Sequence, residues 1–154
     1  MLKAKDVMTT KVITVNEDDD VSKIAKIFMD KKINAVPVAG PDGKLKGIVS
    51  ETDLVYQDAN LHIPTVFTIF DSIFYLASSK HFKEDIKKIT ATKVKDIMNK
   101  NVISVNEDEP LDNIATIMTD KKIYSVPVVD KDTKIKGIVS RYDIIRSMFD
   151  TEKE

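Results

Sequence analysis

Gly137-Ile138-Val139-Ser140-Arg141-Tyr142-Asp143-Ile144 and Gly47-Ile48-Val49-Ser50-Glu51-Thr52-Asp53-Leu54 are one pattern written twice, 90 positions apart. In each, a glycine opens a short apolar run of strand character, and the run leads straight into a helix start. Each serine is followed three residues later by a carboxylate. That spacing is a capping box, in which hydroxyl and acid satisfy the first free amides of a helix. It also sets both groups beyond the carboxyl end of a strand, where anions and small ligands collect. The intervening residues differ completely, Glu51-Thr52 against Arg141-Tyr142, while the pair and the glycine stay.

Working outward, the same 90-residue offset holds without a gap from residue 4 to residue 54. Lys5-Asp6-Val7-Met8 returns as Lys95-Asp96-Ile97-Met98. Val12-Ile13-Thr14-Val15 returns as Val102-Ile103-Ser104-Val105, and Val36-Pro37-Val38 as Val126-Pro127-Val128. Two copies are too few for a solenoid and suit a pseudo-twofold pair around a shared core.

Each copy reads as a β-α-β-β-α unit preceded by a short Lys-Asp-hydrophobic-Met turn. Val12–Val15 is β-branched and is expected as the first strand. The acidic run Asn16–Asp20 is expected to cap the following helix, and Pro110 suits the first turn of its counterpart. Val21, Ile24, Ala25 and Phe28, matched by Leu111, Ile114, Ala115 and Met118, give that helix one apolar face. Pro37 predicts an edge or a start for the second strand. Pro41-Asp42-Gly43-Lys44, altered to Lys131-Asp132-Thr133-Lys134, is a turn leading to the third strand.

The bulk numbers exclude several classes. A net charge of −1, with both signs mixed along 154 residues, argues against a phosphate-backbone binder, so no nucleic acid is expected. The chain has no cysteine, which removes thiolate nucleophiles and cysteine-based metal sites. It lacks a signal-peptide pattern and any apolar run of about 20 residues, so a cytoplasmic protein without a membrane span is expected. Asp18-Asp19-Asp20 lacks the glycines and spacing of a cation loop, and His62 and His81 stand alone, so no metal site is expected. The pairs Lys31-Lys32 and Lys121-Lys122 either draw anions or form a solvated rim.

Between the copies, residues 59–92 have no repeat partner and are expected to be a helical insert. Its apolar part, with Phe67, Phe70 and Phe74, either packs on the chain's own core or enlarges a dimer contact.

These elements, in this order and twice over, resemble a pair of CBS (cystathionine-β-synthase) domains, a Bateman module. The resemblance covers residues 1–54 and 93–148, not the insert. It implies a mixed α/β (α+β) fold with repeat 1 at 1–58, repeat 2 at 93–154, and two clefts between them. It implies adenosine-containing ligands: AMP, ADP, ATP, S-adenosylmethionine or NAD. Asp53 and Asp143 would hold ribose, and Ser50 and Ser140 phosphate. Asn34, Ala35, Tyr124 and Ser125, just before Pro37 and Pro127, would line the base. Ile13, Thr14, Ile103 and Ser104 would add backbone and apolar contacts. Arg141 would either neutralise a phosphate or lie solvated, whereas Glu51 would repel one. Tyr124 would either stack on adenine or be a half-exposed strand residue.

The function expected is ligand sensing by a homodimer, a disc of four repeats, with the readout in a separate effector protein. No cofactor is required. The alternative is a structural or interaction module whose Ser-x-x-Asp pairs only cap helices. An enzyme is not expected, because no nucleophile–base pair or metal cluster is present to serve one.

Overall fold

The computed structural model describes residues 1–55 and 92–150. The helical insert expected at 59–92, with its proposed dimer contact, lies outside the described residues except for Thr92. In chain order the elements are α1 (Ala4–Val7), α2 (Val21–Lys31), β1 (Ala35–Ala39), β2 (Leu45–Ser50) and α3 (Glu51–Val55). The second copy gives α4 (Val94–Ile97), α5 (Leu111–Asp120), β3 (Ser125–Val129), β4 (Ile135–Ser140) and α6 (Arg141–Asp150). None of these helices is long and apolar enough to cross a membrane.

The two hairpins share one register. Pro37 faces Ile48 and Val38 faces Gly47 in the first; Pro127 faces Ile138 and Val128 faces Gly137 in the second. The helix faces are as the periodicity requires: Val21, Ile24, Ala25 and Phe28 are buried on α2, and Leu111, Ile114 and Met118 on α5. Ala115 is only half-buried.

The class is α+β, but the first strand of each unit shrinks to one bridged residue. Val15 pairs with Val38, its amide donating to the Pro37 carbonyl (3.1 Å) while the Ala39 amide donates to Val15 (2.9 Å). Six residues earlier, Thr9 pairs with Ile138 of the other copy. The chain between them crosses from one hairpin to the other and cannot run alongside either. Val105 on Val128 and Asn99 on Ile48 repeat the arrangement. β1 therefore meets only Val15 on its outer edge among the described residues, which suits the missing donor of Pro37.

The Lys-Asp-x-Met segments are not free turns. Each is a single helical turn docked into the core of the opposite copy. Val94 is fully buried in the cluster of Val21, Ile24, Val36 and Val49, and Ala4 in that of Ile114, Val126 and Val139. The docking also satisfies helix ends. Ala4 and Lys5 amides donate to Glu109 and Glu107 carbonyls (2.9 and 3.0 Å), and Val94 and Lys95 amides to Asp19 and Glu17 (both 2.9 Å). In return, Val21 donates to Thr92 (3.0 Å) and Leu111 to Leu2 (2.9 Å).

This overturns the expectation of side-chain capping by the acidic run. Asp20 and Pro110 stand at the N-cap positions of α2 and α5 without a side-chain cap bond, because a backbone carbonyl from the other copy takes the first amide. The acidic side chains instead reach lysines. Asp20 pairs with Lys93 (2.7 Å), Asp18 with Lys95 (3.1 Å) and Asp19 with Lys23 (2.8 Å). Asp108 takes Lys5 and Lys3, which hold its carboxyl below the usual range. These pairs are partly or fully solvent-exposed and contribute little to stability.

The opening glycine of each central pattern now has a steric reason. A Cβ on Gly137 would lie 2.5 Å from Met8 Sδ and 2.8 Å from its Cγ; one on Gly47 would lie 2.8 Å from Met98 Sδ. Each methionine of Lys-Asp-x-Met thus packs on a strand glycine of the other copy. Gly137→Ala is expected to destabilise the fold by about 1–3 kcal/mol through overpacking. In a Met8→Ala background the same change should cost markedly less, as a urea-denaturation cycle would show; equal costs in both backgrounds would refute the contact.

The turns differ in strain. Gly43 sits at φ +78°, and its counterpart Thr133 at φ +62°. A β-branched residue in the left-handed region is unfavourable by roughly 1–2 kcal/mol. Thr133→Gly should therefore stabilise the protein by about 1 kcal/mol in chemical denaturation, despite the greater freedom of glycine in the unfolded chain.

Candidate functional site

The crossed packing opens two clefts, each built from both copies. One, of about 400 Å³, has Asp143 in its wall, and the other, of about 480 Å³, has Asp53. These volumes fall within the range of small-molecule sites, about 300–1,000 Å³.

The Asp143 cleft joins Ser140, Arg141 and Asp143 of the second copy to Ile13, Asn34, Ala35 and Pro37 of the first. The Asp53 cleft joins Ser50, Glu51 and Asp53 of the first copy to Ile103, Tyr124 and Ser125 of the second. Asn34, Ala35 and Ser125 line both. Ser125 Oγ donates to Asn34 Oδ1 (3.0 Å) in the partition between the clefts. Thr14 and Ser104, expected at the base, are exposed and line neither cleft, because the chain there is crossing between hairpins. Pro127 is buried and also lines neither, unlike Pro37.

The Ser140/Asp143 pair forms a full capping box, and the Ser50/Asp53 pair its carboxylate half. Asp143 Oδ2 accepts from the Ser140 amide (2.8 Å) and Oγ (2.7 Å), and the Asp143 amide donates back to Ser140 Oγ (3.2 Å). Asp53 Oδ2 accepts from the Ser50 amide (2.7 Å) and Oγ (3.0 Å), while Ser50 Oγ also meets Thr52 Oγ1 (2.6 Å). In both, the cap bonds fall on Oδ2. At Asp143, which is only 6% exposed, Oδ1 takes Arg146 Nη2 at 3.3 Å. In each pair the cap thus uses one carboxylate oxygen, Oδ2, and leaves Oδ1 outside the cap.

Tyr124 is 52% exposed, and the Arg141 guanidinium carbon lies 4.1 Å from its ring centroid. This cation–π contact joins a residue of one cleft to a residue of the other.

Several wall residues went unread in the sequence. Thr9 and Lys11 in one cleft, and Asn99 and Asn101 in the other, follow the docked α1 and α4 turns. Tyr142 and Arg146 come from the first two turns of α6. The repeat offset held a usable signal: most wall residues of one cleft have their counterpart 90 positions away in the other, Lys11 with Asn101 and Arg141 with Glu51. Of the paired lysines, Lys32 and Lys122 line the clefts, both in left-handed conformation (φ 52° and 53°).

One scaffold thus carries two charge patterns. Among the described residues, the Asp143 cleft sets Lys11, Lys32, Arg141 and Arg146 against the carboxylate of Asp143 alone. The Asp53 cleft sets Lys122 against Glu51 and Asp53. Among the described residues the first cleft is the more cationic of the two.

Comparison with known proteins agrees with this architecture. The CBS domain family model matches residues 4–60 and 94–150. Protein MJ1426 of Methanocaldococcus jannaschii is 36% identical over 94% of this chain and 89% of its own length. The L-aspartate semialdehyde sulfurtransferase of the same organism is 31% identical over 92% of this chain, which spans only 22% of that protein. Among solved structures, the CBS domain pair of protein MJ0100, in complex with 5′-methylthioadenosine and S-adenosyl-L-methionine, superposes with a TM-score of 0.69 at 28% identity, covering 99% of both chains.

Proposed function

The chain belongs to the CBS domain family, a family of regulatory modules, and on that premise we propose that it senses adenosine-containing ligands in its two clefts. The observation that carries this reading is the composite site made twice, each time with a carboxylate held by its cap at the cleft wall. Asp143 and Asp53 accept from ribose hydroxyls. The apolar wall of Ile13, or of Ile103 with Tyr124, takes the base. The binding of two adenosyl compounds by the related MJ0100 pair supports the ligand class.

The four cations of the Asp143 cleft favour a phosphorylated ligand there, such as AMP, ADP or ATP. Arg141 contributes to that charge, and Lys32 adds a donor at the rim. Glu51 makes the Asp53 cleft poorer for phosphate. Ligand that prefers one arrangement of the module shifts its population. The signal then passes to a partner, and the assembly that carries it is a homodimer. The catalytic name of the sulfurtransferase belongs to a protein of which this chain spans about a fifth.

A second reading has its own observation. Ser140 Oγ and Asp143 Oδ2 are already bonded to each other at 2.7 Å, so the pair has a complete structural role without ligand. Under that reading the module only mediates protein contacts.

Thermal unfolding against AMP, ADP, ATP, S-adenosylmethionine, NAD and guanine counterparts separates the two. A ligand at 100 times its dissociation constant adds about 2.7 kcal/mol, roughly 5–10 °C for a domain of this size. Asp143→Ala is expected to lose about 1 kcal/mol from the weakened cap and also to abolish the shift with phosphorylated adenosines. Loss of stability alone, with no ligand shift in the parent protein at millimolar concentration, would favour the interaction module.

A further inference from the structure

We propose that Tyr124, a wall of the Asp53 cleft, is a positioning residue for the other cleft: its ring holds the Arg141 guanidinium where a ligand phosphate meets it. This deepens the ligand-sensing reading and rests on it.

Arg141 is the first residue of α6, and its amide donates to the Tyr124 carbonyl at 3.0 Å. The backbone therefore fixes the two residues side by side before their side chains meet. The guanidinium then lies 4.1 Å from the ring centroid, and Arg141 has no carboxylate partner among the described residues. Stacking occupies one face of the planar group and leaves its N–H edges to bind an anion in bidentate fashion. Arg141 lines the Asp143 cleft, among Lys11, Lys32 and Arg146. Tyr124 does not line that cleft, so its influence there runs through Arg141.

The pseudo-equivalent pair makes the contrast. Glu51 donates its amide to Asn34 at the same 3.0 Å, but a carboxylate beside an amide forms no such stack and offers nothing to a phosphate. The backbone arrangement is common to both copies; among the described residues only the second has a cation resting on a ring. A long arginine otherwise free in solvent loses rotamer freedom when it binds, and the ring lessens that loss in advance.

The test isolates one cleft. AMP and adenosine are titrated calorimetrically into Asp53→Ala, in which the Asp143 cleft reports, and into the same protein carrying Tyr124→Leu or Tyr124→Phe. Asp53→Asn, which keeps an acceptor for the Ser50 amide, serves as parent if the alanine variant does not fold. Tyr124→Leu is expected to weaken AMP by about two- to fivefold, the size of a partly exposed cation–π contact, and to leave adenosine unchanged. Tyr124→Phe should retain both affinities, because the ring and not the hydroxyl holds Arg141. AMP binding unmoved by Tyr124→Leu, or AMP and adenosine weakened alike, would overturn the proposal. Failure of the unsubstituted protein to bind either compound would instead remove the ligand-sensing reading, and this role with it.

Discussion

A helix of four residues cannot stand alone in water, since it leaves its first amides open and forms almost no internal bonds. α1 and α4 exist because carbonyls of the opposite copy accept those amides, and because Ala4 and Val94 are buried among the opposite copy's core residues. The exchange is mutual: the carbonyls of Leu2 and Thr92 accept the first amides of α5 and α2. Neither copy has a finished core or finished helix ends without the other. The crossing chain then ties Thr9 to Ile138 and Asn99 to Ile48, and the clefts open beside these ties.

Pseudo-symmetry built this way preserves backbone and frees side chains. The hairpin registers, the serine-to-carboxylate bonds and the glycine–methionine contacts recur in both halves, because each is a condition for packing. Cleft-facing positions outside the Ser-x-x-Asp pairs carry no such condition. Lys11 against Asn101 and Arg141 against Glu51 change the charge of the site without disturbing the fold around it. A duplicated scaffold can therefore diverge in ligand preference while its two halves continue to complete each other.

The Ser-x-x-Asp pair shows how a structural bond prepares a chemical one. A carboxylate on a free side chain would have to be ordered by its ligand. In both clefts the cap orders it through Oδ2, and at Asp143 burial and Arg146 restrict it further. Capping is compatible with the proposed binding role, since the cap bonds use only Oδ2.

Much of this was legible in the chain. The 90-residue offset, the apolar faces Val21–Phe28 and Leu111–Met118, the Gly-Ile-Val-Ser strands and the helix starts after them all express local rules of periodicity and steric preference. Those rules act within a few residues and need no partner. The strand expected at Val12–Val15 became a single bridge because Thr9 and Val15 belong to different hairpins, a fact about chain crossing that β-branching does not encode. The caps expected from Asn16–Asp20 gave way to backbone carbonyls for the same reason. Candidate residues were recognisable one by one, but Thr14, Ser104 and Pro127 fell outside the clefts, and Lys11 and Arg146 entered them. The sequence by itself determined the repeat, its elements and the residue types available for binding. The tertiary structure alone decided which residues of one copy face which of the other, because hydrogen bonding and burial between distant segments depend on the path of the whole chain.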